Sequence, residues 1–123
     1  MDRPRMIYLV DDDEAVRDSA RMFLEAQGMI VQDFASASAL LEKTRGEGAD
    51  CLLLDLHMPG LSGIELLELL RKRAISAPAI ILTGRYDPLL ADRMNKAGVA
   101  TVLQKPVDAA VLLDSIERAT ARR

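Results

Sequence analysis

The chain has 123 residues, half of them apolar and 28% charged, with a net charge of −3. That size suits one domain spanning residues 1–123, with a core of Leu, Ile, Val, Ala and Met because aromatics make up only 3%. The charges are mixed along the chain and leave no basic footprint for nucleic acid. Cys51 is the single cysteine, so no internal disulfide can form. No apolar run approaches the roughly 18 residues of a membrane span, and Met1-Asp2-Arg3-Pro4-Arg5 lacks a secretion signal's apolar stretch. A cytoplasmic protein without membrane contact is expected.

Met6–Val10 is a continuous apolar run and predicts a central strand buried on both faces. Asp11-Asp12-Asp13-Glu14 follows, then a helix to about Gln27. Its apolar stripe is Val16, Ala20, Phe23, Leu24 and Gln27, its cap Asp12 or Asp13, and its stop Gly28. Met29–Phe34 carries Gln32 and Asp33 and reads as an edge strand. Ser36 or Ser38 opens a second helix to about Arg45, and Gly46-Glu47-Gly48 breaks it.

Asp50–Leu54 is the next strand, delivering Asp55 at its tip before the Pro59-Gly60 turn. Ser62-Gly63-Ile64-Glu65 is a capping box, so a third helix runs from Gly63 to about Arg73. Ala79–Thr83 is a fourth strand. Asp87-Pro88 opens a fourth helix to about Ala97, stopped by Gly98. Ala100–Gln104 is a fifth strand, Lys105-Pro106 interrupts the chain, and a last helix starts near Asp108 with the stripe Val111, Leu112, Ile116 and Ala119. Arg118–Arg123 reads as its tail. Strand and helix alternate five times, which predicts an α/β fold: a doubly wound parallel sheet with helices on both faces.

In such sheets, sites form beyond the carboxyl ends of the strands. There the chain gathers Asp11, Asp12 and Asp13 from the first strand, Asp55 from the third, Thr83 from the fourth and Lys105 from the fifth. Clustered carboxylates favour a hard divalent cation such as Mg²⁺, which takes oxygen ligands and keeps phosphate oxygens beside them. Lys105 suits a phosphate oxygen, Thr83 can donate to another, and Asp55 can act as a nucleophile that forms an aspartyl phosphate.

The motifs Val10-Asp11-Asp12, Asp55 with Met58-Pro59 and Gly63, Leu82-Thr83-Gly84, and Lys105-Pro106 stand in order at successive strand ends. In this the whole chain resembles a response-regulator receiver domain of the two-component systems. The resemblance implies a flavodoxin-like (βα)5 sheet of order 2-1-3-4-5 and a signalling switch in place of a turnover enzyme. By the same resemblance Asp55 would accept phosphate from a phosphohistidine on a sensor histidine kinase or a phosphotransfer protein. Asp12 would bind Mg²⁺ directly, Asp11 mainly through water, and the backbone carbonyl of His57 would complete the protein ligands. Lys105 would pair with the phosphate, and Thr83 with the Gly84 amide would reach it afterwards. The Lys105-Pro106 bond would be cis.

The signal would reshape the face formed by the fourth helix, fifth strand and fifth helix, for an output domain, a partner or a second copy. The spacing around Thr83–Gly98 is reminiscent of receivers joined to helix-turn-helix transcription factors of the nitrogen-fixation regulator type, so a C-terminal DNA-binding domain is an expected partner. The chain departs from the family at Val102, where an aromatic usually stands three positions before the lysine; a valine has no ring to swing inward. Tyr86 is the nearest aromatic that could substitute, and Val107 stands where the family often has Phe. His57 and Arg85 occupy positions at which family members vary the life of the phosphoryl group.

Three other readings compete. A haloacid-dehalogenase-type phosphatase also uses a nucleophilic Asp and Mg²⁺, but wants a second Asp where His57 stands. A flavodoxin-like flavin carrier needs a Ser-, Thr- and Gly-rich phosphate loop in place of Asp-Asp-Asp-Glu. A receiver-like scaffold would work without phosphate, and Val102 keeps that reading open.

Overall fold

The computed structural model describes residues 3–121. Strands and helices alternate as β1 (Met6–Val10), α1 (Glu14–Ala26), β2 (Ile30–Phe34), α2 (Ala37–Lys43), β3 (Cys51–Asp55), α3 (Gly63–Lys72), β4 (Ala79–Thr83), α4 (Ala91–Lys96), β5 (Val99–Gln104) and α5 (Ala109–Thr120). The strands form one parallel sheet in the order β2-β1-β3-β4-β5. This is the doubly wound order expected, and the strand order reverses between β1 and β3.

The continuous apolar runs are central strands because both sheet faces are covered. Every residue of β3 and β4 is buried. Leu52 and Leu54 join one core with Val10, Ile81, Leu40, Leu67 and Met94; Cys51 and Leu53 join the other with Ile7, Leu9, Ile80, Leu24 and Ile116. The period-2 alternation of a strand divides one sequence run between the two cores. Each fully buried leucine of β3 contributes about 1.5–3 kcal/mol, so the support behind Asp55 is rigid.

The register sets the rim. Val10 lies opposite Leu54, Asp55 opposite Leu82, and Thr83 opposite Gln104. The residues at and just beyond these ends therefore emerge together. Local signals start the helices at this edge. Asp13 accepts from the Ala15 and Val16 N–H groups to cap α1, and Ser62 with Glu65 forms the capping box of α3. Ser36 caps α2, and Asp108 caps α5.

Several expectations are corrected. The fourth helix is not one run from Pro88 to Ala97. A 3₁₀ turn at Pro88–Leu90, capped by Asp87, precedes a six-residue α4. The second helix ends at Lys43, where Thr44 adopts extended backbone, and does not reach Arg45. Gln27 lies past the end of α1 and is exposed, so it is not part of the apolar stripe. Val111 is 49% exposed, because the stripe that faces the sheet steps by four through Leu112, Ile116 and Thr120. The Thr120 hydroxyl donates to the Ile116 carbonyl, which permits its burial. β5 begins at Val99: Val99 faces Ala79 and Thr101 faces Ile80, leaving Ala100 as a bulge. Residues 122–123 of the predicted tail lie outside the described residues. Among the described residues, no helix is long and apolar enough to cross a membrane.

Two backbone positions carry measurable consequences. A Cβ at Gly63 would overlap the Asp55 carbonyl and press on Leu56 Cα. Gly63→Ala should therefore cost at least about 2 kcal/mol in urea unfolding, since backbone is the atom in the way. Ala74, just past α3, holds φ at +64°, a left-handed conformation that suits glycine. Ala74→Gly should raise the unfolding free energy by about 1 kcal/mol in the same measurement.

Candidate functional site

Asp11 leaves β1 with its backbone engaged on both sides. Its N–H donates to the Phe34 carbonyl (3.1 Å), and its carbonyl accepts from Arg17 Nη1 (2.8 Å). Its carboxylate is fully buried. Oδ1 accepts from the Asp13 N–H at 2.9 Å. Oδ2 is buried and lies 2.7 Å from Lys105 Nζ, an ion pair that is its one polar contact among the described residues. Asp12 is exposed beside it.

Asp55, at the tip of β3, is 4% exposed. Its Oδ1 accepts from the His57 N–H at 3.3 Å and lies 3.4 Å from Lys105 Nζ. Lys105 is positioned by β5: its N–H donates to the Thr83 carbonyl (2.7 Å), and the Lys105-Pro106 bond is cis, as the resemblance implied. The structure thus brings together the acids of two strands and the amine of a third.

Thr83 is buried at the end of β4, but its hydroxyl is occupied within its own loop. It donates to the Arg85 carbonyl (2.6 Å) and accepts from the Arg85 N–H (3.1 Å). Above the acids opens a cavity of about 570 Å³ lined by Asp12, Asp13, Asp55, His57, Gly84, Arg85 and Lys105. Asp13 has a second task as the cap of α1. His57 has an exposed side chain, and Gly84 is exposed.

Electrostatics follow from this crowding. Burial, and then the neighbouring Asp11 charge, push the Asp55 carboxyl up to about 6, although Lys105 and the His57 N–H pull the other way. Burial opposes the charge of Lys105, but the attraction of Asp11 and Asp55 outweighs it, so its pKa is raised and it stays an ammonium. Asp11, Asp12 and Asp55 each offer an oxygen within 4.8 Å of the others. Three acids against one ammonium leave excess negative charge on oxygen donors alone. With the buried Asp11 Oδ2 among them, this set fits a hard divalent cation.

A family model described as the response regulator receiver domain matches residues 7–117. The chain belongs to that family. This receiver is 36% identical over 116 residues to the transcriptional regulatory protein FixJ of Azorhizobium caulinodans, covering 94% of this chain and 55% of that protein. It is 33% identical over 118 residues to the response regulator protein TodT of Pseudomonas putida, covering 96% and 52%. It spans about half the length of these curated relatives. The crystal structure of FixJ-N superposes with a TM-score of 0.86 at 35% identity, covering 100% of this chain and 98% of that one. A CheY-like receiver domain protein from Methanospirillum hungatei gives 0.90 at 31%, covering 97% and 95%. Receiver domains are signalling switches of two-component systems, and the matched relatives include transcriptional regulators.

Against this background, Val102 is half-buried and packs against the core below α4, while Tyr86 is 52% exposed in the β4–α4 loop. Arg17, which no sequence motif singles out, reaches the Asp11 carbonyl and Asp33 with its guanidinium. The available signal was the acid Asp33 inside a strand, which calls for a nearby cation.

The raised Asp55 carboxyl makes stability depend on pH. The folded receiver binds this proton more tightly than the unfolded chain, whose value is near 3.8. The favourable contribution is complete below about pH 4 and lost as pH rises through about 6. In chelator-containing buffer, Asp55→Asn should match the parent near pH 3 and exceed its unfolding free energy above pH 6 by on the order of 3 kcal/mol. Urea denaturation at a series of pH values reads this out.

Proposed function

We propose that this receiver is a switch operated by phosphorylation of Asp55, with Mg²⁺ held by Asp11, Asp12, Asp55 and the backbone carbonyl of His57. The observation that carries this reading is the geometry at the tip of β3. A carboxylate lies at the foot of an open cavity, with two further acids within 4.8 Å and an ammonium 3.4 Å away. The phosphoryl donor is a phosphohistidine on a sensor histidine kinase or a phosphotransfer protein. A carboxylate oxygen of Asp55 attacks phosphorus, the phosphorus–nitrogen bond breaks, and the electron pair leaves with the donor imidazole.

The chain's own residues prepare this step. β3 fixes the nucleophile, because its leucines are buried on both faces. Lys105 supplies positive charge for the transferred group's oxygens. A bound Mg²⁺ would neutralise phosphoryl oxygens and the repulsion between acids and donor. Once phosphate is on Asp55, Lys105 turns from its carboxylate partners toward it, and Thr83 exchanges the Arg85 carbonyl for a phosphoryl oxygen, with the Gly84 N–H as a further donor. That exchange draws in the loop 84–87 and shifts the face of α4, β5 and α5. This face serves a second copy or a C-terminal DNA-binding domain of the type the curated relatives' length leaves room for. Hydrolysis of the aspartyl phosphate resets the switch, so the receiver is no turnover enzyme.

Incubation with acetyl phosphate and Mg²⁺ should add one phosphoryl group by intact mass. Chelation should prevent it, and Asp55→Asn should abolish it. Equal loading of the Asn variant would overturn the assignment, and a parent that takes up no phosphoryl group would favour the phosphate-independent scaffold.

A further inference from the structure

We propose that Arg17 is a positioning residue for the cation-binding acids, and that Asp33 on β2 holds it in place. The Arg17 side chain is only 14% exposed and that of Asp33 19%. Arg17 Nη1 donates to the Asp11 carbonyl at 2.8 Å, and Nε donates to Asp33 Oδ2 at 3.2 Å. The other oxygen of Asp33 accepts from Arg21 Nη1 at 2.6 Å. Arg17's own N–H donates to the Asp13 carbonyl at 3.0 Å. One guanidinium thus ties the loop after β1 to the edge strand.

The consequence lies in the peptide group joining Asp11 to Asp12. The Asp11 N–H is fixed by the Phe34 carbonyl, and the Asp11 carbonyl is fixed by Arg17. With the peptide groups on both sides of Asp11 held by hydrogen bonds, the backbone from which the two carboxylates branch is restrained. Without Arg17, that carbonyl loses its side-chain donor, and the two acids lose a common orientation. Outer groups that orient metal ligands act in this way. The planar fork of arginine can serve two acceptors at fixed angles, which an ammonium cannot.

Asp33 explains its own presence. An acid on a half-buried strand position carries a desolvation cost, which two guanidiniums offset. It also neutralises Arg17, whose bare charge near the acids would repel a cation. Orientation is kept and the opposing charge is cancelled.

This inference rests on the reading that Asp11, Asp12 and Asp55 hold a divalent cation. The test is calorimetric titration of Mg²⁺ into the full chain, alongside the Mg²⁺ dependence of acetyl phosphate loading and melting in chelator. Arg17→Met removes the donors and keeps the stem's packing; Asp33→Asn keeps Arg17 but releases it. Each should raise the Mg²⁺ dissociation constant, by about tenfold for Arg17→Met. The half-saturating Mg²⁺ for loading should rise in step, while the rate at saturating Mg²⁺ falls by less than that factor. The double variant should bind no more weakly than Arg17→Met alone, because Asp33 acts through Arg17. A merely structural pair would lower the melting temperature and leave Mg²⁺ affinity untouched, and that result would overturn the proposal. Should Arg17→Met fail to fold, Asp33→Asn with parental affinity overturns it equally. A parent that binds no Mg²⁺ would instead overturn the cation reading itself.

Discussion

Three carboxylates forced close together, with one ammonium between the two buried ones, are the constraint around which this receiver is arranged. Like charges at such range repel, and no flexible chain would hold them. The sheet does so because β1 and β3 are neighbours in parallel register and both end at the same edge. Lys105 relieves part of the repulsion by pairing with Asp11 and Asp55, but its single charge leaves the cluster negative. The raised affinity of Asp55 for a proton comes first from its burial and then from the neighbouring Asp11 charge. A proton, a cation or a transferred phosphoryl group with its cation can each answer it.

The fold distributes rigidity accordingly. β3 and β4, behind Asp55 and Thr83, are buried at every residue, whereas β5 is half-buried along most of its length. α4 is short, and its N-terminus makes no side-chain cap hydrogen bond. It is tied to α3 by Arg93, which forks onto Glu68 at 2.6 and 3.0 Å, and by Arg71, which donates to the Ala97 carbonyl at 2.8 Å. These polar ties add to the seating of Met94 in the core shared with Leu67 of α3. Asp55 thus stands on a strand buried at every residue, while β5, in the face proposed for output, has no fully buried residue.

The Thr83 hydroxyl links the two. Its one proton is spent on the Arg85 carbonyl, so under the proposed function a phosphoryl group on Asp55 would compete with an existing hydrogen bond instead of filling a void. Such an exchange has two defined end states, as a switch requires. Val102 contributes aliphatic packing against the core but no ring.

Much of this was legible in the amino-acid order. Apolar runs of five residues, helical stripes, the capping box at Ser62, a cap at Asp12 or Asp13, and acids at strand tips are local properties with short-range causes, so they located the elements and the chemistry-bearing residues. What depended on long-range geometry was not legible. The strand order came from the resemblance, since local patterns do not say which strands are neighbours. The break of the fourth helix into a 3₁₀ turn and α4, the bulge at Ala100 and the exposure of Val111 reflect how elements fit against one another. The approach of Lys105 to two acids, the turning of Thr83 to Arg85, and the bridge from Asp33 through Arg17 to Asp11 all join residues distant in sequence or oriented by packing. A one-dimensional pattern shows which groups a chain owns; only the closed sheet decides which of them share a few ångströms and a low-dielectric environment, and that proximity is what makes Asp55 different from any other aspartate.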